Sequence, residues 1–345
     1  MRRPSTMGDV ASLAGVSHQT VSRVINDSPA VRPETRERVL AAIGELGYRR
    51  NNAARVLVTR RSQTIGVVSF GTRLFGPTSI VFAIEQAARR AGYFVSIASE
   101  PYIDSVTLGQ ALDRLADQAV EGVIVIAPQK QAQVAITEIA RGLPAVVVDG
   151  HDETGVPRVS VDHIGGARQV TRHLLDQGVR TVHHVAGPAD WLEAEERIEG
   201  WRQVLEEAGA PVPDVLRGDW SPGSGYAAGR ELAADPDVAA VFVANDPMAL
   251  GVLRALAERR RRVPADVLVA GFDDVPESAY YQPPLTTVRQ DFEGLGRRSI
   301  DLLIAQIEGE TVPPEHVVPA ELVVRRSSLR RARRAVRAAD GAAPS

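Results

Sequence analysis

From Thr64 onward, apolar runs of four to six residues alternate with longer amphipathic stretches, and this rhythm restricts the fold more than anything else in the chain. The segments 65–69, 94–98, 123–126, 145–148, 159–161, 182–185, 240–244 and 267–270 read as strands. Between them, 80–91, 107–118, 166–177, 194–208 and 247–259 read as helices. Short apolar strands separated by helices form parallel sheets covered on both faces. There are too many strands for one compact open sheet, and each half repeats the βα rhythm, so two doubly wound lobes are predicted. Ligands of such sheets bind beyond the carboxyl ends of the strands, which here face a cleft between the lobes.

Composition removes several functional classes. At about 150 residues per domain, 345 residues make two to three domains. The absence of cysteine excludes a disulfide scaffold, a Cys-ligated zinc, an iron–sulfur cluster and a thiol nucleophile. Lys130 is the only lysine and follows Gln129, so no Gly-Lys-Ser/Thr phosphate loop exists. No stretch approaches the eighteen or so apolar residues of a membrane helix, and the N-terminal residues lack the apolar centre of a secretory signal. A cytoplasmic protein without membrane contact is expected. The net charge of −3 conceals an asymmetry: residues 1–63 carry eleven arginines against five acids, and the remainder is acidic. A basic module joined to an acidic body suits a nucleic-acid-binding head, although a merely solvated arginine-rich surface has the same composition.

The basic segment from Thr6 to Leu46 reads as three short helices. Thr6 caps the first, with Asp9 in its opening turn. Gly15-Val16-Ser17 makes the turn, and Ser17 caps the second helix, His18 to Ile25. Val21, Val24 and Ile25 share one side of it, while His18, Gln19, Ser22 and Arg23 point elsewhere. Pro33 opens a third helix with Val39, Ile43 and Leu46 at helical spacing. Two helices around a glycine turn, the second presenting donors near its start, fit a helix-turn-helix. Gln can bond adenine bidentately and Arg can bond guanine. The alternative is an ordinary three-helix module with a solvated polar face.

In the acidic body, polar and aromatic residues follow the apolar runs. Asp149 ends Ala-Val-Val-Val, Asn245-Asp246 follows Ala-Val-Phe-Val-Ala, Asp273-Asp274 follows Gly-Phe, and Trp220 lies in a loop. Carboxylates and amides form paired bonds to vicinal hydroxyls, and an aromatic face packs on a sugar's C–H face. Each residue also has a plainer role available, since a strand-end Asp often caps a helix and a loop Trp often plugs core. Enzyme motifs are missing. There is no His-Glu-x-x-His or Gly-x-Ser-x-Gly, His183-His184 read as strand residues, and Gly223-Ser224-Gly225 lacks the third glycine of a dinucleotide loop. Asp149 and Asp273 are the one pair of acids suited to glycoside hydrolysis, and a DNA-binding head has no use in a hydrolase. A transport binding protein needs a secretion signal and no such head. No catalytic residue, metal site or cofactor is expected.

The run from Asp9 to Asn26, with Thr35-Arg-Glu-Arg-Val39, Leu46-Gly-Tyr48 and Asn51-Asn-Ala-Ala-Arg55, resembles the DNA-binding signature of the lactose repressor (LacI) family of bacterial transcription regulators. The resemblance extends through Arg197-Ile-Glu-Gly-Trp201, Gly218-Asp-Trp-Ser221, Val243 to Gly251, Gly271 to Asp274 and Pro283 to Asp291, about residues 6 to 325 in all. It implies an all-α helix-turn-helix domain and hinge, then an α/β periplasmic-binding-protein-like core of two doubly wound parallel-sheet lobes. The expected divisions are 1–50 for the head, 51–63 for the hinge and 64–329 for the core. One lobe takes 64–161 and 291–322, the other 162–290. The residues 330–345 are expected to form a disordered basic tail without the leucine heptads of a tetramer.

By the same resemblance, Thr6, Ser17, His18, Gln19, Thr20, Ser22, Arg23 and Asn26 contact DNA, joined by Asn51, Ala54 and Leu57 of the hinge. His18 and Gln19 stand where the family varies to choose its operator. Residues 51–59 are too short for a stable isolated helix and read equally as a flexible linker. The resemblance implies a hinge helix formed when two copies meet on DNA, with Leu57 wedged into the minor groove. Pro77, Asp149, Arg197, Trp220, Asn245, Asp273, Gln290 and Phe292 are implied to line an effector cleft. Ile126 departs from the pattern, standing where the founding member of the family offers an asparagine to a sugar hydroxyl. The expectation is a homodimeric repressor of double-stranded operator DNA, with Tyr281 near the dimer contact, induced by a β-galactoside-like or β-glucoside-like sugar. A purine or other metabolite acting as corepressor is the alternative.

Overall fold

The computed structural model describes residues 5–48, 61–70, 74–100, 104–130, 132, 136, 142–150 and 155–330. They fall into two compact units that divide between Ser62 and Gln63. The hinge residues Asn51, Ala54 and Leu57, and the tail beyond Arg330, lie outside the described residues.

The first unit has three helices, α1 (Met7–Ala14), α2 (His18–Ile25) and α3 (Pro33–Leu46). Thr6 and Asp9 close a reciprocal cap on α1, in which the Asp9 amide donates to Thr6 Oγ1 at 3.3 Å and the Thr6 amide donates to Asp9 Oδ2 at 2.7 Å. Gly15 ends α1 at φ 63°, a left-handed conformation that glycine adopts without a Cβ penalty. Ser17 then caps α2 by accepting from the Thr20 amide at 3.2 Å. Val10, Ala11, Ala14, Val21, Val24, Val39 and Ala42 form the small core, with Ile25, Ile43 and Leu46 packed around it. Arg36 pins the loop after α2 through Asp27 and the Ser28 carbonyl.

The second unit holds two parallel sheets. The larger contains β1 (Thr64–Phe70), β2 (Phe94–Glu100), β3 (Gly122–Ile126), β4 (Ala145–Val148), β5 (Arg158–Val161) and a late strand at Glu315–Val318. Its spatial order begins at that late strand and runs β5, β4, β3, β1, β2. The smaller sheet comprises β6 (His183–Ala186), β7 (Leu216–Arg217), β8 (Ala240–Val243) and β9 (Leu268–Ala270), in the order β7, β6, β8, β9. The alternating apolar runs thus become buried strands, as in β3, β4 and β8, every residue of which is buried. Among the described residues, no helix is long and apolar enough to cross a membrane.

Three differences from the sequence expectation have clear causes. The first helix of the core starts at Phe75 rather than Ile80, because Pro77 is tolerated in an opening turn whose amide hydrogens lack partners anyway. The Gly-rich segment Pro222–Ala234, for which the sequence reading named no element, is a helix. Its glycines allow close packing on the helix Asp246–Glu258: a Cβ on Gly225 would lie 2.1 Å from the Met248 carbonyl oxygen. Finally, a two-stranded antiparallel pairing near the end of the chain was not anticipated. Pro319, which has no amide hydrogen, ends the pairing of Glu315–Val318 with β5, and Ala320–Val323 runs antiparallel to Thr287–Gln290 instead.

Candidate functional site

On α2, Ser17, His18, Gln19, Arg23 and Asn26 are exposed, while Thr6, Thr20 and Ser22 are half-buried. Ser17 and Thr20 hydroxyls lie 3.0 Å apart, and Asn26 donates to Ser22 Oγ at 3.4 Å. The buried valines on the opposite side hold the helix rigidly. Its outer face offers an imidazole, a primary amide and a guanidinium to any partner.

In the second unit, Pro77, Asp149, Arg197, Trp220, Asn245, Asp273, Gln290 and Phe292 all line one cavity. Strand ends and helix starts bring them together. Asp149 follows β4, Asn245 lies just beyond β8, and Phe292 begins the helix Phe292–Ile307. Asp149, Trp220 and Asp273 hold φ values of 55°, 70° and 110°, in the region that L residues seldom enter. Backbone strain of this kind gathers at functional sites, where surrounding structure enforces it.

Arg197 is the hub and is 2% exposed. It donates to the Ala244 carbonyl, faces His163 Nδ1 at 3.3 Å, and lies 3.9 Å from both Asp273 and Glu193. Its guanidinium also sits 4.0 Å from the Phe272 ring centre and 5.5 Å from that of Trp220. Gln290 donates to Asp273 at 2.7 Å. Asn245 donates to the Trp220 carbonyl at 3.1 Å and accepts from the Met248 amide at 2.9 Å, so it both caps a helix and fixes the Trp220 loop. Burial pushes Asp273 up to about 7, against the attraction of Arg197. Burial also raises Glu193 and Glu196.

Two aromatic pairs shape the walls. Trp191 meets Trp220 edge-on with ring centres 5.6 Å apart, and Phe75 meets Phe292 at 5.8 Å. Trp220 Nε1, Arg197 Nε and His163 Nε2 are buried without hydrogen-bond partners. Gly187 lies against the Trp220 ring, where a Cβ would come within 2.2 Å of it.

Leu74, Phe75, Ile80, Pro128, Trp191 and Glu193 also line the cavity and were not anticipated. Glu193 had a signal, since it lies one helical turn before Arg197. Trp191 had a fainter one, following the turn after β6. It reaches the wall because the two lobes exchange backbone bonds there, Lys130 N to Asp190 O at 2.9 Å and Leu192 N to Pro128 O at 2.8 Å. Ile126 contributes only apolar surface to the lining.

Asp149, His163 and Glu193 each bring a ligand-type atom within 4.8 Å of the other two. The arrangement does not fit a metal. Arg197 can only donate to His163 Nδ1, which places the proton of the neutral ring on Nε2, and a protonated nitrogen has no lone pair for a cation.

A model of the lacI family of bacterial regulatory proteins matches residues 6–51, and a periplasmic binding protein-like domain matches residues 171–328. The HTH-type transcriptional regulator CelR of Thermobifida fusca is 40% identical over 343 residues, covering 94% of this chain and 99% of the relative. Among solved structures, the lac repressor dimer bound to operator and the anti-inducer ONPF aligns with a TM-score of 0.86 at 36% identity, over 95% of this chain and 100% of that one. A complex of the transcriptional regulator CelR with cellobiose aligns at 0.70 and 38% identity, over 94% of this chain and 100% of that one.

Proposed function

The chain belongs to the lacI family of bacterial regulatory proteins, and on that premise we propose that it is an operator-binding repressor released by a small β-linked sugar. The observation that carries the sugar is the cavity itself. A charged hydrogen-bonding set, Arg197, Asp273 and Asp149, stands beside the Trp191–Trp220 corner. Charged groups at fixed positions suit vicinal hydroxyls, and an aromatic face suits a pyranose ring. The related cellobiose-bound regulator supports the same class of ligand.

In this reading His18, Gln19 and Arg23 meet base edges, and Thr6, Ser17, Thr20, Ser22 and Asn26 position the helix on the backbone. Asn51, Ala54 and Leu57 complete the interface at the centre of a pseudo-palindromic operator. One helix-turn-helix covers one half-site, so the repressor works as a dimer, as the related lac repressor does on its operator. The exposed Phe94 and Ile97 on edge strand β2, with exposed Phe82, supply surface for a second copy. Tyr281, half-buried against the core of the smaller lobe, joins this surface as a further contact.

A sugar shifts operator affinity only through its different affinity for two lobe arrangements. Thermal-shift measurements with cellobiose, lactose, hypoxanthine and guanine, followed by operator titration with the best binder, test the proposal. The expected result is stabilisation by a β-linked disaccharide and operator release. Stabilisation by a purine with tighter operator binding establishes the corepressor alternative.

A further inference from the structure

Resting on the sugar reading, we propose that His163 is a specificity-determining residue, whose Nε2–H and the Asp149 carboxylate together receive one hydroxyl of the effector. His163 was absent from the sequence expectation. It is 1% exposed and begins the helix His163–Leu175.

The proton's position follows from its neighbours. Arg197 Nη2 lies 3.3 Å from His163 Nδ1, and a guanidinium has no acceptor, so Nδ1 accepts in the neutral ring and Nε2 bears the hydrogen. In the imidazolium both nitrogens bear one. Nε2 is therefore a donor in either state.

That donor is buried and has no hydrogen-bond partner. The group it faces, Asp149 Oδ1, lies 3.8 Å away, too far for a direct bond and close enough for one oxygen atom to touch both. Asp149 itself lines the cavity, and His163 is buried next to it, 3.8 Å behind that wall residue's carboxylate. A hydroxyl placed between the two accepts from Nε2–H and donates to the carboxylate. Glu193, also lining the cavity, has an oxygen within 4.8 Å of the other two groups and bounds the corner.

A hydroxyl is the only common sugar substituent that satisfies this pair. Asp149 Oδ1 already accepts a long bond from the Val161 amide at 3.4 Å, so a hydrogen atom leaves chiefly the buried Nε2–H donor unmet, which costs more than one hydrogen bond gains. An ammonium has three hydrogens and no lone pair to offer Nε2–H. The corner thus rejects both the deoxy and the amino analogue of one ligand position, although its acidic residues by themselves would favour a cation.

The test uses the full-length protein with cellobiose, its four monodeoxy variants at the 2, 3, 4 and 6 positions of the non-reducing ring, and the corresponding amino sugars, measured by calorimetry. His163→Leu is expected to weaken cellobiose binding about thirtyfold, and His163→Gln, which keeps a donor, to recover part of the loss. Removing one particular hydroxyl should cost the native protein a similar factor and cost His163→Leu almost nothing. The amino sugar at that position should bind no better than the deoxy sugar. Such coupling to a single hydroxyl distinguishes a ligand contact from a packing role. Equal cellobiose affinity in His163→Leu, or no hydroxyl coupled to it, overturns this proposal and leaves the sugar reading standing. No binding of cellobiose or lactose by the native protein overturns both.

Discussion

The outer face of α2 and the cavity of the core hold similar side chains in opposite states. His18, Gln19 and Arg23 stand in solvent on a helix anchored by Val21 and Val24. Arg197, Asn245, Asp273 and Gln290 are buried and bonded to one another or to nearby backbone. A surface meant for a large charged partner keeps its donors uncommitted, because water satisfies them until the partner arrives. A buried cavity has no such solvent, so its polar groups satisfy each other and leave a few orphaned positions for the ligand. One substitution therefore acts locally on the head and spreads through the network in the core.

The largest effect should come from Arg197→Ala. It strips the charged partner from buried Asp273 and Glu193, each 3.9 Å away, and removes the donor to His163. Loss of one partner from a buried charged pair costs about 2–5 kcal/mol, so effector binding should disappear in calorimetry while operator binding persists below the melting temperature. In a reporter strain this variant should repress permanently if the sugar is an inducer. Retained induction would show that the network is structural only.

Gly187→Ala tests the same region without touching a polar group. Its new Cβ collides with the Trp220 ring, and overpacking of this kind costs about 1–3 kcal/mol. Tryptophan fluorescence should change, effector affinity should fall, and the operator affinity of the apo protein should stay as it was. Unchanged fluorescence would mean that the loop gives way at no cost.

Arg23→Ala applies the comparison to the head. Arg23 is exposed, so the melting temperature should hold. Specific operator affinity should fall by about 1–3 kcal/mol with relaxed preference at one symmetric base pair. An equal loss on random DNA would show that Arg23 meets phosphate alone.

The same contrast explains what the sequence made legible. The head's caps and core were readable because they depend on neighbours within a few residues, as with Thr6 and Asp9 or Ser17 and Thr20. The apolar strands were readable because burial on both faces forces continuous hydrophobic runs. Thr287–Gln290 and Ala320–Val323 were missed, since short paired strands with polar residues carry no such run. In the cavity, residues directly after strands were foreseeable by position. Trp191 depends on backbone bonds between Lys130 and Asp190 and between Leu192 and Pro128, and residues about sixty apart leave no local signal.

The smallest expected effect is a pH dependence that belongs to the core's buried charges. Asp273 is held at about 7 by burial, with Arg197, Glu193, His163 and Gln290 around it, while an unfolded aspartate titrates near 3.8. Between those values the folded protein keeps a proton that the unfolded chain has released, so stability declines as pH rises through about 7. Burial raises Glu193 and Glu196, which act in the same direction. For His163, burial opposes protonation but Asp149 outweighs it, and the raised value likewise favours the folded state at lower pH. His184 works the other way. Burial lowers it to about 3, so its cost appears only below its ordinary value of 6.5 and vanishes above that. Burial lowers His173 and His183 as well, and they act with His184 as the unfolded rings lose their protons around 6.5, so the part due to Asp273 is read as the difference between the native protein and Asp273→Asn. Relative to Asp273→Asn, the melting temperature of the ligand-free native protein should fall by a few degrees between pH 5 and 8. Parallel pH profiles for the native protein and Asp273→Asn would mean that Asp273 is ionised throughout and paired with Arg197 as a permanent ion pair.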